Sequence, residues 1–291
     1  MTVLWRRRTL AWGVLLLAFY AGTLQAQELH APPQKIGPLF DRLPVLDQGV
    51  VLVPLQPLAA WLALEVRQSR DAGPVSLFRP GDLNPLQSLA PGRLQARLSG
   101  SPYELPVAPR MIDDAFYVPL RFVVEALGFW VSVERRKVIL ELPQEDLRVE
   151  MAVPPDPLSH EAKLWRQLAI WYGLPPAALP PDTDTLPHWN LFARERQREL
   201  LAEIGPDVPT IIEAHWGGRE VKGLRILSDA ADPEGGAAAV EVLVQYGDGG
   251  LYEERFGFVL EPQGWRVRTQ VSRQMGGGLR RVEDTGPLSS P

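Results

Sequence analysis

Four histidines, His30, His160, His188 and His215, are the side chains of this chain best suited to hold a transition metal. Copper and zinc sites need imidazoles that converge on one point. These four are scattered, and no His-x-His pair occurs among them. His160-Glu161 opens the pattern of a helical zinc hydrolase, but residue 164 is Leu, so the second imidazole one turn on is missing. Asp182-Thr183-Asp184 starts like a calcium loop and lacks the following Gly and the distal Glu, which leaves a solvated turn. The absence of cysteine removes disulfides, thiolate metal sites and cysteine nucleophiles. Neither Gly-x-Ser-x-Gly nor Gly-x4-Gly-Lys occurs, so a nucleophile elbow and a P-loop are both unsupported. The sequence therefore supplies no catalytic residue, no metal-ligand set and no cofactor motif.

Binding chemistry has more material. The C-terminal half is rich in aromatic residues, of which Trp165, Tyr172, Phe256, Phe258 and Trp265 are the candidate lining of a ligand pocket. The competing reading is that they fill a core, each burying a large apolar area. Core filling is favoured, because no acid–base pair can be placed among them. Asp229 and Asp232 read as loop acids without a partner. In the N-terminal half Arg121 has two readings: a contact for an external carboxylate or polymer, or a structural pairing with Glu125 one helical turn on. The structural one is preferred.

The elements that must position Arg121 are legible. Phe116 to Val118 reads as a strand that feeds a helix with Pro119 at its first position, where a missing N–H costs nothing. Leu120, Val123, Val124 and Leu127 make one helical stripe, and Gly128 stands where a left-handed residue stops a helix. Phe129, Val131 and Val133 then share a strand face, Glu134 to Lys137 is a polar turn, and Val138 to Leu142 is the next strand. This β-α-β-β unit has an earlier echo. Val53-Pro54-Leu55 aligns with Val118-Pro119-Leu120 at an offset of 65, as do Leu62 with Leu127 and Val66 with Val131. Gln56 replaces Arg121 in the first copy, and Ala63 replaces Gly128. Two such half-units can bury each other's helix faces.

Tyr117-Val118-Pro119-Leu120-Arg121-Phe122 followed by Glu125-Ala126-Leu127-Gly128 resembles the signature of the copper amine oxidase N-terminal-like, or stalk, domain family. Gly100 to Pro109 resembles the strand and Pro-rich approach before that signature, and the family pattern has Trp where Val133 stands. The resemblance spans residues 45–143 and implies a paired, non-catalytic scaffold in which Val118, Pro119, Leu120, Arg121 and Gly128 fix the fold. The oxidase chemistry belongs to a neighbouring domain in the proteins that gave the family its name. It needs a Tyr following Asn and three His ligands, and this chain has no Asn-Tyr pair.

Residues 27–44 read as an extended lead-in and 144–158, with Pro154, Pro155 and Pro157, as a stiff linker. Ser159 is a predicted N-cap for a helix to about Tyr172, and a second helix is predicted from Asn190 to Ile204. Strands follow: Ala238 to Tyr246, then Tyr252, Phe256, Phe258 and Leu260 on an inner face, then Trp265, Val267, Thr269 and Val271 inward with Arg266 and Arg268 outward. Helices before an antiparallel meander resemble, in pattern, the NTF2-like (cystatin-like cone) superfamily over residues 159–273, and 274–291 reads as a disordered tail. The predicted class is α+β, a duplicated stalk-type domain and then an NTF2-like domain.

Arg6-Arg7-Arg8 and the apolar run Leu10–Tyr20 make residues 1–26 a secretory signal, with an uncleaved anchor as the alternative. That address is extracytoplasmic, in the periplasm, the envelope or outside. The formal charge is −5, and −8 without the leader, which argues against nucleic acid as a partner. The expectation is a non-catalytic envelope protein that holds or contacts peptidoglycan, another cell-wall polymer or an envelope protein. A small-ligand or cryptic enzymatic pocket in the second domain is the alternative.

Overall fold

The computed structural model describes residues 36–68, 73–174, 188–216, 220–275 and 279–280. The predicted leader and most of the predicted tail lie outside the described residues, as do Asp182-Thr183-Asp184 and the side chains of His30, His188 and His215. The described residues from Gly37 onward belong to one compact unit. It is a mixed α and β structure, mostly strands with few helices.

The N-terminal part begins with the hairpin β1 (Val45–Asp47) and β2 (Val50–Pro54), the short helix α1 (Leu55–Trp61), and strands β3 (Glu65–Gln68) and β4 (Val75–Phe78). β5 (Gln87–Leu89), β6 (Gln95–Leu98) and β7 (Ser101–Glu104) complete a five-stranded antiparallel sheet β3-β4-β5-β6-β7. The order then recurs: hairpin β8 (Arg110–Ile112) and β9 (Ala115–Pro119), helix α2 (Leu120–Glu125), β10 (Trp130–Glu134), β11 (Lys137–Leu142) and β12 (Leu147–Ala152). β2 and β9 pair antiparallel at the centre of the sheet β1-β2-β9-β8. Val53 lies opposite Val118, Leu52 opposite Pro119 and Pro54 opposite Tyr117, so the pairing is symmetric about the Val53–Val118 pair. Leu55, Leu58 and Ala59 of α1 meet Leu120, Val123 and Val124 of α2 in one apolar core.

Three N-terminal expectations change. Pro119 is the N-cap of α2 and the last residue of β9, not the first helical residue, because its ψ of 115° is still extended. The predicted linker contains β12, which pairs with β11 along its whole length from Leu142↔Leu147 to Lys137↔Ala152. Its alternating Leu147, Val149 and Met151 were masked by the prolines that follow. The described end of the lead-in is packed: Phe40 is buried and exchanges two backbone hydrogen bonds of 2.8 Å with Leu224.

The C-terminal part opens with α3 (His160–Trp171), capped by Ser159, whose Oγ accepts from the Ala162 N–H at 3.1 Å. A 3-10 turn (His188–Leu191) leads to α4 (Arg194–Ile204), so the predicted second helix starts four residues late. α5 (Val208–Trp216) was not foreseen. The meander β13 (Val221–Asp232), β14 (Ala237–Tyr246), β15 (Leu251–Glu261), β16 (Gly264–Gln274) and β17 (Leu279–Arg280) forms one antiparallel sheet in sequence order. Its apolar face packs on Leu164, Trp165, Leu168 and Trp171 of α3. β17 lies within the segment predicted as a disordered tail and pairs Ser272 and Arg273 with Arg280 and Leu279.

A bulge corrects the predicted inner face of β16. The register slips between Gly257↔Thr269 and Phe258↔Val267, leaving Arg268 as the extra residue. Trp265 and Val267 face inward before it, and Ser272 is buried after it, while Thr269 and Val271 are exposed. Arg266 is also buried, not outward: its guanidinium donates to the carbonyls of Trp265 and Gln263 at 2.9 and 3.1 Å.

Candidate functional site

The signature helix opens onto a cleft of about 160 Å³. One wall is the β1–β2 hairpin with Gly49, Val50 and Val51, and another is Tyr103 and Pro106 at the end of β7. The floor is Pro119 to Phe122, and Val131, Val133 and Val138 of the β10–β11 hairpin close it. The predicted face Phe129, Val131, Val133 explains this shape. Phe129 is buried in the core, Val131 is half-buried, and Val133 emerges 59% exposed. Tyr103 is 42% exposed and its ring tilts against Phe122 at 4.9 Å. Phe122 is held from behind, where its carbonyl accepts from Gln87 Nε2 at 2.6 Å.

Arg121 is the one charged residue among the described lining of the cleft. It pairs with Glu125 at 3.0 Å through a single N–H···O contact, with both side chains largely exposed. An exposed pair of this kind stabilises little and exchanges readily. Of the other predicted motif residues, Pro119 and Leu120 also line the cleft. Val118 and Leu120 are buried, and Gly128 takes φ +90° to end the turn after α2.

The five predicted pocket aromatics sit elsewhere, all within the C-terminal core. Phe256 stacks edge-on to Tyr172 at 5.9 Å and lies 6.2 Å from Phe258. The polar edge of each of the other three has a partner. Trp265 Nε1 donates to His160 Nδ1 at 3.2 Å, Trp165 Nε1 to Asp229 Oδ2 at 2.7 Å, and the Tyr172 hydroxyl to Glu254 Oε2 at 3.0 Å. Among the described residues no group of three or more His, Asp or Glu converges as metal ligands would.

Glu254 escaped the sequence reading. It is fully buried on the inner face of β15, and its carboxylate accepts from Tyr172 and Tyr246 hydroxyls (3.0 and 2.8 Å), Gln270 Nε2 (2.7 Å) and Ser272 Oγ (3.3 Å). The bulge at Arg268 delivers Gln270 and Ser272 to it. Burial, and then the Glu254 charge, push the Tyr172 phenol well above its ordinary range. The available signal was Glu254 itself, in register with Tyr252, Phe256 and Phe258 on an otherwise apolar face.

Asp229 and Asp232 are strand residues of β13, not loop acids. The Asp229 side chain is buried at the junction of the two parts, where Arg136 from the β10–β11 turn reaches it at 3.2 Å beside the Trp165 indole. Burial raises its carboxyl above the usual aspartate value, and the Trp165 hydrogen bond and the Arg136 charge oppose that shift.

Residues 34–141 match the family model of the copper amine oxidase N-terminal domain, so this part of the chain is similar to that family. The match starts before Phe40, in keeping with the packed end of the lead-in. No curated protein and no solved structure matches the chain.

Proposed function

We propose that this is a non-catalytic binding or scaffold protein of the cell envelope that contacts a cell-wall polymer or another envelope protein. The observation that carries the reading is the cleft at Pro119–Phe122, whose described lining is mostly apolar, with a single guanidinium and no acid–base pair. The Arg6-Arg7-Arg8 leader supports the extracytoplasmic address. Residues 45–143 are read as two copies of one stalk unit. Support comes from the hairpin–helix–hairpin order on each side of the Val53–Val118 pair, with β1 and β8, and β3 and β10, each beginning 65 residues apart. Residues 159–273 are read as an NTF2-like cone, supported by the order of helices then meander.

The test uses the whole chain from residue 27. It is mixed with purified peptidoglycan and sedimented, and in parallel crosslinked in intact envelopes, with Val133→Asp as the comparison. Retention by either route that Val133→Asp weakens is the expected result. A protein fractionating with the cytoplasm, or recovered by neither route, ends the reading.

The alternative, a small-ligand or enzymatic pocket in the second domain, has one observation in its favour: the carboxylate of Glu254 beside two phenols. A ligand-dependent rise in thermal stability that Glu254→Gln abolishes would move the function there.

A further inference from the structure

We propose that the cleft receives one apolar side chain of an extended peptide from a partner protein, docked as an added strand along the free edge of β10 with an acidic residue against Arg121. The inference rests on the binding-module reading above and selects a polypeptide over a polymer.

Size comes first. A cavity of roughly 150 Å³ lined by aliphatic and aromatic groups accepts one benzene, whereas whole cofactors need several hundred Å³. At about 160 Å³ the cleft takes a single ring or branched aliphatic side chain. A sugar would find only Tyr103 and Arg121 as polar side chains in the described lining, few partners for its hydroxyls, whereas Val50, Val51, Pro106, Pro119, Val131 and Val133 suit an apolar side chain.

The edge comes second. Among the described residues β10 pairs only with β11 and is the last strand of its sheet. Five of the other sheet ends are blunted or covered in the ways proteins use against unwanted pairing. β7 carries Pro102, β3 carries Glu65 and Arg67, β1 and β8 are three residues long, and β12 lies against β13. β10 reads Trp-Val-Ser-Val-Glu, with neither proline nor bulge, and leaves Trp130 68% and Val133 59% exposed. Strand addition supplies main-chain hydrogen bonds, and a pocket for alternate side chains supplies selectivity. Val131 and Val133 line the cleft, so the inward side chains of an added strand point the same way.

Charge comes third. The only charge in the described lining is the Arg121 guanidinium, which spends one contact on Glu125 and can turn the rest of its fork to a carboxylate. The peptide then carries an acid on the same face as its anchor, two residues away.

The probe is an end-blocked octapeptide of alternating threonine and valine, with a central phenylalanine and an aspartate two positions before it. It is titrated by calorimetry into the chain from residue 27. Saturable binding is expected, weakened about tenfold or more by alanine in place of the phenylalanine and by Val133→Asp. Arg121→Glu should weaken it similarly, and lysine in place of the peptide's aspartate should restore it. Circular dichroism confirms that both variants remain folded. No saturable binding, or binding indifferent to the anchor and to the charge swap, overturns the proposal. So does a concentration-dependent dimer that Val133→Asp abolishes, which would assign the edge to a second copy. If the peptide fails while peptidoglycan retention or envelope crosslinking persists, this inference falls and the binding-module reading stands.

Discussion

Glu254 is a carboxylate with no described cation beside it, held in the core by four neutral donors. Such a group is tolerable only while every lone pair is engaged, because an unmet buried charge costs several kcal/mol. Replacing Glu254 with Gln turns one acceptor oxygen into an NH2 group that the neighbouring hydroxyls must reorient to meet, removes the charge that strengthens the remaining bonds, and is expected to destabilise by about 2 kcal/mol in urea unfolding. Tyr172→Phe removes one of the four and should cost about half as much. Asp229 behaves differently, because its carboxyl is raised above the ordinary value of 3.8 chiefly by burial. The folded state therefore holds the proton more tightly than the unfolded chain. The stabilisation from this group is complete below 3.8 and is lost as pH rises through the raised folded value. In denaturation curves across that window, the wild type should gain on Asp229→Asn as the solution is acidified. A difference that stays flat or runs the other way would show that the Arg136 and Trp165 contacts outweigh burial.

At the scale of elements, the two helix ends of the N-terminal part make a controlled pair. Gly128 takes φ +90° after α2, and Ala63, 65 residues earlier, takes φ +53° after α1. A side chain in the left-handed region costs roughly 1 kcal/mol that glycine avoids. Ala63→Gly should therefore stabilise by a few tenths to about 1 kcal/mol, and Gly128→Ala should destabilise by about 1 kcal/mol, both measured by chemical denaturation. The offset of 65 made this stop visible without coordinates, as the Ser159 cap made α3 visible. β14 and β15 were equally legible, because an alternating face with one side apolar fixes its own register. What stayed hidden has physical causes. A bulge adds one residue without changing composition, so Thr269 and Val271 seemed inward when Gln270 and Ser272 were the residues delivered to Glu254. α5 carries Pro209 in its first turn and is only nine residues long, too short for periodicity to declare. The cleft could not be read at all, since Tyr103, Val50 and Val133 meet only through tertiary packing.

For the whole molecule, the prolines after β12 suggested two independently folded domains on a stiff spacer. The contacts across that boundary point to a shared fate on unfolding. Phe40 belongs to the N-terminal core yet pairs its backbone with Leu224 of β13. Arg136 reaches from the β10–β11 turn to the buried side chain of Asp229, and Trp165 of α3 donates to the same carboxylate. Disrupting either part leaves buried polar groups of the other without partners, a penalty large against a typical net stability of about 5–15 kcal/mol. Differential scanning calorimetry of the chain from residue 27 should therefore show one transition, with calorimetric and van't Hoff enthalpies in agreement. Phe40→Ala empties a fully buried site and should lower that transition as a unit, by an amount corresponding to about 3–5 kcal/mol. Two resolved transitions, with only the first moved by Phe40→Ala, would mean that these contacts merely rest against each other and that each part melts alone.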